Sequence, residues 1–343
     1  MKKVLPYKPA NDGTINKKQG DPMPATLKKI SELTGISIRS VNRALQGMPG
    51  LSAEKRRLIL ETAAQIGYTP NIAARNLRLK RNNFVGIVVP DSEMHWNSSI
   101  SITSRKIIEL QIKLEQAGFF TLFGVNTGNP EEMRSLLRQW TGLVSTVIFF
   151  SWNDQWKQQD ILEKLPLQCI FIDIMTDFGH CMIIDRAPGI YDGIRFLLNQ
   201  GCMRLARCGN IQTRNSGFNS ALQDLQGPPI MHRHYKIRTC FEDGFAIGPE
   251  LIENRYDAVF FDTDRMAFGF LKYCGKNQIR IPADIAVIGF DDEPWDIYSC
   301  PSLSTVAHPN EEMISAILEL VRSPETESRR LIFKTRFIRR ESV

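Results

Sequence analysis

Long apolar runs are scarce in this chain. Stretches such as Leu143-Val144-Ser145-Thr146-Val147-Ile148-Phe149-Phe150 stop far short of the ~20 residues that a bilayer span needs, so no transmembrane helix and no membrane partner is expected. Met1-Lys2-Lys3 is basic, but no apolar segment follows it, so no signal peptide is expected and the cytoplasm is the anticipated location. Paired cysteines are missing as well. The seven, at 169, 181, 202, 208, 240, 274 and 300, are odd in number and form no Cys-x-x-Cys, which argues for reduced thiols rather than a zinc site or a disulfide framework. His232-Arg233-His234 has too few companions for a metal site, so no metal is expected. A glycine-rich phosphate loop, a nucleophile elbow and a paired His-Glu zinc motif are all absent, which leaves no cofactor and no enzyme to predict.

Acidic residues are also scarce at one end. Residues 1–83 carry sixteen Lys and Arg against five Asp and Glu, whereas the remaining chain is slightly acidic. A basic head on an acidic body points to nucleic acid as the partner of the head and to a different task for the body. A length of 343 residues, 43% hydrophobic, suffices for two or three domains with real cores.

The first 23 residues are rich in Lys, Pro, Gly and Asn and read as a disordered tail. Thr26 then caps a helix over 27–33 with Leu27, Ile30 and Leu33 on one face, ended by Gly35. Ser37 caps a second helix over 38–45 with Val41, Ala44 and Leu45 inward. Ser52 caps a third, whose apolar positions are Leu58, Ile59, Ala63 and Ile66, with Gly67 at its end. Three short helices with a tight glycine turn between the first two make a helix-turn-helix unit over 24–69. A polar, basic linker over 70–83 follows. From Phe84 apolar strand-like runs alternate with helical ones, at 84–89, 120–124, 146–150, 169–174, 182–184, 205–208, 258–261 and 286–290. That rhythm predicts parallel sheets flanked by helices, and its ~260 residues predict two lobes, with ligands beyond the carboxyl ends of the strands.

The segment from Thr26 to Leu45, the run Gly67-Tyr68-Thr69-Pro70-Asn71-Ile72-Ala73-Ala74-Arg75-Asn76-Leu77, and Ile285-Ala286-Val287-Ile288-Gly289-Phe290-Asp291-Asp292 with Pro301-Ser302-Leu303-Ser304-Thr305-Val306 resemble, in this order, the lactose-repressor (LacI/GalR) family of bacterial transcription regulators. The resemblance covers about nine-tenths of the chain. It implies an N-terminal all-α helix-turn-helix head and, over 84–343, a two-lobed α/β core like a periplasmic binding protein, serving effector binding and dimerisation. The expected activity is repression from a pseudo-palindromic operator in double-stranded DNA, bound by a homodimer. It places Ile38, Arg39 and Arg43 at base edges, an arginine on guanine and Ile38 on a thymine methyl, with phosphate contact as the other reading of the arginines. Thr26, Ser37, Ser40 and Asn42 suit phosphate oxygens, Ser37 also as an N-cap. Asn71, Ala74 and Leu77 fall in a hinge helix that forms on DNA, Leu77 wedging into the minor groove. Asp173, Arg214 and Asp291 fall in the effector cleft, where two carboxylates and a guanidinium would suit a polyol, so a carbohydrate-like effector is expected.

The chain departs from the family at several points. Thr263-Asp264 stands where an Asn-Asp pair is usual, and Thr239 where an aromatic often stacks on the ligand. The loop holding His95-Trp96-Asn97-Ser98-Ser99 is about six residues longer than usual, and Trp152 is a candidate to line the cleft or to pack. These departures leave open a regulator without any small effector. A solute-binding protein of transport is the rival class. It would need a secretion signal and no basic head.

Overall fold

The computed structural model describes residues 25–45, 48–68, 83–91, 102–152, 167–224, 230–325 and 327–343. The expected tail over 1–23, the hinge residues Asn71, Ala74 and Leu77, and the loop 95–99 lie outside them. The chain divides into two compact units, Met1–Lys80 and Arg81–Val343.

In the first unit, α1 (Leu27–Thr34), α2 (Ile38–Leu45) and α3 (Ala53–Gln65) close around Ile30, Val41, Ala44, Ile59 and Ala63. Local chemistry sets the ends. Thr26 Oγ1 accepts from the Lys29 amide at 3.2 Å, and Ser52 Oγ from that of Lys55 at 3.4 Å. Gly35, at φ +65, makes the left-handed turn between α1 and α2 that a β-carbon would strain. Two apolar positions depart from expectation. Leu33 of α1 is 55% exposed, only Ile30 of that helix being buried, and Leu58 is 46% exposed because the inward stripe of α3 runs through Ile59, Thr62 and Ala63.

The second unit holds two parallel sheets. The first lobe orders its strands β11-β5-β4-β3-β1-β2, from β1 (Phe84–Pro90), β2 (Phe120–Asn126), β3 (Val144–Phe149), β4 (Gln168–Ile172), β5 (His180–Asp185) and β11 (Arg330–Lys334). Helices α4 (Ile102–Gln116) and α11 (Asn310–Arg322) bury Leu110, Leu114, Met313 and Ile317 with Val85, Ile87, Ile148 and Ile170 of the sheet. On another cluster α5 (Pro130–Trp140) lays Trp140 over Gly86 and Gly124, where any β-carbon would meet a side chain at 2.3–2.4 Å. The second lobe orders β7-β6-β8-β9, from β6 (Arg204–Cys208), β7 (Met231–Tyr235), β8 (Ala258–Phe261) and β9 (Ala286–Ile288). Its helices are α6 (Ala187–Asn199), α7 (Asn215–Gln223), α8 (Phe241–Ala246), α9 (Gly248–Glu253) and α10 (Asp264–Lys276). An antiparallel pair, β10 (Thr305–Ala307) with β12 (Arg336–Ile338), accompanies this lobe. The chain therefore crosses between lobes three times, after β5, after β10 and after β11, as the element order and sheet memberships require.

Candidate functional site

On α2 the candidate DNA-reading side chains share an outward face. Ile38, Arg39 and Arg43 are exposed, Ser40 and Asn42 half-buried, while Val41 and Ala44 fill the core beneath. Ser37 Oγ accepts from the Ser40 amide at 3.3 Å and donates to Ser40 Oγ at 3.0 Å, so it does cap the helix. Arg43 is less free than its position implies: Nη2 donates to the Pro49 carbonyl at 2.5 Å, folding the guanidinium onto its own loop. Ile38, 46% exposed, is an apolar side chain with no core to fill.

The cleft candidates sit where strands of the second unit end. Asp173 follows β4 at φ +58, and Asp291 follows β9 at φ +130, conformations that cost an L-residue of order 1–3 kcal/mol and concentrate at functional sites. Around Asp291 Oδ1 a chain of polar contacts is built. Arg214 Nη2 donates to it at 3.2 Å and His308 Nε2 lies at 3.2 Å, while His308 Nδ1 lies 3.3 Å from Lys106 Nζ. A carboxylate and an ammonium on opposite ring nitrogens fix the neutral Nε2–H tautomer, and burial holds the imidazole down at about 4. The Arg214 guanidinium stacks on Phe290, 3.7 Å from the ring centroid. Asp173 is clasped by Arg186, which reaches both its oxygens.

A layer beneath positions these groups. Arg207 and Asp262, both buried, pair through two hydrogen bonds of 2.9 and 3.2 Å. Asp262 Oδ2 also accepts from the Ile211 amide at 2.8 Å, which anchors the turn that carries Arg214. Asp264 is fully buried, accepting from Thr305 Oγ1 at 2.6 Å and from the Glu293 amide at 3.1 Å. Burial and the nearby Asp291 carboxylate raise its pKa to about 7. Trp152 packs edge-on against Phe149, Phe171 and Phe178 at 5.4–5.8 Å, the packing alternative of the two expected for it.

The structure thus joins Arg214 to Asp291 directly and adds Lys106, Arg186 and His308, which sequence reading missed. Lys106 lies among Ile107, Ile108 and Leu110 on a helix, and only its place in an apolar stripe signals burial. Arg105 Nη1 also donates to the Asp292 carbonyl at 2.8 Å, so helix α4 of the first lobe touches the second lobe twice. A cavity of about 510 Å³ adjoins Asp291 and His308 and is lined by Arg105, Lys113 and Lys334 among others; Lys106, Asp173 and Arg214 are not in its wall. Among the described residues no His, Cys, Asp and Glu group could hold a metal, and no helix is long and apolar enough to cross a membrane.

The periplasmic binding protein-like domain family matches residues 194–343. A probable helix-turn-helix transcriptional repressor of Bacillus subtilis (strain 168), ExuR, is 27% identical over 334 residues, 93% of this chain and 98% of its own. The lac repressor dimer bound to operator and an anti-inducer superposes with a TM-score of 0.71 at 20% identity, over 93% of this chain and 99% of that one. A regulator from Enterococcus faecium with bound ribose superposes with a TM-score of 0.62 at 25% identity, over 76% of this chain and 98% of that one. These relatives are regulators of transcription and not enzymes. The expected arrangement, a small helical unit and a core of two parallel α/β sheets, is the one found. With that head, that core and relatives matched along nearly the whole length, the chain is similar throughout to DNA-binding transcriptional regulators of the LacI/GalR family.

Proposed function

We propose that the protein is a cytoplasmic repressor that binds a pseudo-palindromic operator as a homodimer and is switched by a small polyhydroxylated effector held between the two lobes of its core. In the head, Arg39, Arg43 and Ile38 read base edges in the major groove, while Thr26, Ser37, Ser40 and Asn42 hold phosphates. Asn71, Ala74 and Leu77 act in the minor groove between half-sites. In the core, Asp173 and Asp291 accept effector hydroxyls and Arg214 donates to them. One observation carries the reading of the core: Arg214 is 5% exposed, yet its Nε and Nη1 have no partner among the described residues. Buried donors are almost always satisfied, and a ligand is a ready means of satisfying these. The ribose bound to the Enterococcus faecium relative supports a carbohydrate-like ligand.

Selection of bound fragments from the source genome, followed by a library of single-base operator changes at fixed salt, tests the head. Arg43→Ala is expected to cost about 1–3 kcal/mol on the cognate site and to relax preference at one position per half-site, after wild-type Arg43 has exchanged the Pro49 carbonyl for a base. A uniform loss across all sequences would make Arg43 a phosphate contact instead.

A further inference from the structure

One cation at the cleft has no carboxylate paired with it among the described residues. Among the described residues, Asp173 is matched by Arg186 and Asp291 by Arg214, and His308 is neutral. Lys106 is left over. It is 7% exposed, no described carboxylate lies within ion-pairing distance of Nζ, and its hydrogen-bond partner is the His308 ring. A buried cation without a counter-charge is costly. Arg214, on the other flank of the Asp291–His308 pair, adds two unpartnered buried donors. Two cations with spare donors flanking one neutral ring are built for an anionic group, which each can hold by a charge-assisted hydrogen bond.

We infer that the effector carries an anionic group, a carboxylate or a phosphate on a polyhydroxylated body, and that Lys106 is the residue that selects it. This rests on the proposal that the cleft binds the effector. The anionic group would meet Lys106 and the free edge of Arg214, while hydroxyls meet Asp173 and Asp291. Lys106 belongs to α4 of the first lobe and His308 follows β10 of the second, so an anion that draws Lys106 away from His308 acts on a contact between the lobes. That is a route by which such a ligand changes the core's conformation, since an effector shifts an equilibrium only through differential contacts. Burial agrees with this: it lowers the Lys106 pKa to about 8, against the pull of Asp173 and Asp291 and with Arg186 and Arg214 adding to the depression.

Titration calorimetry on the full-length protein at pH 8 tests the inference with matched compounds: glucose, galactose and ribose against glucuronate, galacturonate, gluconate, glucose 6-phosphate and ribose 5-phosphate. At least one anionic compound should bind about tenfold more tightly than its neutral counterpart. Which arm binds tells a carboxylate from a phosphate. Lys106→Met, its fold checked by circular dichroism and thermal melting, should bring the pair within about threefold of each other. Binding of the anion should also draw a proton onto Lys106, so the heat depends on the buffer's ionisation enthalpy in wild type and not in Lys106→Met. Binding by neutral compounds alone, by none of the panel, or with a charge preference that survives in Lys106→Met overturns the inference. Asp291→Asn separates the two levels. If it leaves binding unchanged, the cleft is not the effector site; if it weakens binding while Lys106→Met does not alter the preference, only the role of Lys106 fails.

Discussion

Two buried carboxyls stand behind the cleft, and their environments give them different duties. Asp264 accepts from a hydroxyl and a backbone amide, so its oxygens are employed. Asp296 is fully buried beside it, meets Arg340 Nη1 at 3.4 Å and keeps a second oxygen without a partner among the described residues. Burial and the neighbouring Asp264 carboxylate raise Asp296 to about 10, outweighing Arg340. A carboxyl whose pKa is raised on folding binds its proton more tightly in the native state, so stability is lost as pH rises from the unfolded value toward the folded one. His308, held at about 4, and Lys106, lowered to about 8, oppose this trend, the first most strongly near pH ~6.5, where the unfolded imidazole is half protonated, and the second near pH 8, where the folded ammonium is. Between those ends the carboxyls outweigh them, and thermal melting should show stability falling from about pH 6.5 to 8, most steeply near pH 7. Asp296→Asn should flatten the slope and raise the melting temperature at pH 8. Asp264→Asn should instead cost about 1–3 kcal/mol by disrupting the acceptor for Thr305 and Glu293. A slope that Asp296→Asn leaves unchanged would show that Asp296 is not held protonated. The sequence draws attention to Asp264 but not to Asp296, which is fully buried between exposed neighbours, Trp295 and Ile297.

Between helices, two glycines explain a close crossing. A β-carbon on Gly269 of α10 would stand 2.1 Å from the Phe241 carbonyl oxygen, and one on Gly244 of α8 would stand 2.1 Å from that of Met266. Backbone cannot yield as a flexible side chain can, so Gly269→Ala should destabilise by about 2 kcal/mol although alanine is the better helix former. Gly275, six positions along the same helix, faces open space, and Gly275→Ala should stabilise by about 0.5–1 kcal/mol. Denaturant unfolding of the two variants gives opposite signs if the crossing, rather than glycine itself, is responsible. The same contrast governs which elements were legible from sequence. Strands buried from end to end, such as β8 with Ala258, Val259, Phe260 and Phe261, announce themselves as apolar runs. Strand β7, Met231–Tyr235, lies at an edge with four of five residues exposed, and β11 at another edge alternates exposed and half-buried residues. The polar His232, Arg233 and His234 hide β7, while the apolar part of β11, Leu331-Ile332-Phe333, is only three residues long between charged ends, as short as β10 and β12. The expected run 286–290 ends as a strand at Ile288, because Gly289 must pass close to the Asp264 carboxyl. Arg214 and Asp291 were legible only through family motifs; that they meet depends on the pairing of β6, β8 and β9 in one sheet, 77 residues apart along the chain, which no local pattern encodes.

At the scale of the whole molecule, the proposed function asks a head that reads a few base pairs to reach operator-level affinity, which calls for a second copy joined through the body. The second lobe carries a candidate surface. Trp295, Ile297 and Tyr298 are 68%, 56% and 74% exposed on one loop, with the two aromatic rings 6.4 Å apart between centroids. The loop is not loose: Ser299 Oγ donates to the Asp296 and Pro301 carbonyls at 2.9 and 2.8 Å, and the Leu303 amide donates to the Asp296 carbonyl at 2.9 Å. A rigid loop that presents large apolar side chains to water marks an interaction surface, where aromatic residues contribute most of the binding energy. The lac repressor that superposes on this chain was bound to its operator as a dimer. If the same task falls to this loop, Trp295→Asp with Tyr298→Asp should turn a dimer into a monomer in sedimentation velocity at micromolar concentration. Melting of the body should be little changed, because neither side chain belongs to its core. Operator affinity should fall by two or more orders of magnitude, because each half-site would then be bound without the effective concentration that a linked second head provides. A double variant that sediments as a dimer would move the interface elsewhere, with the exposed Ile108 and Ile112 of α4 in the first lobe the next surface to alter.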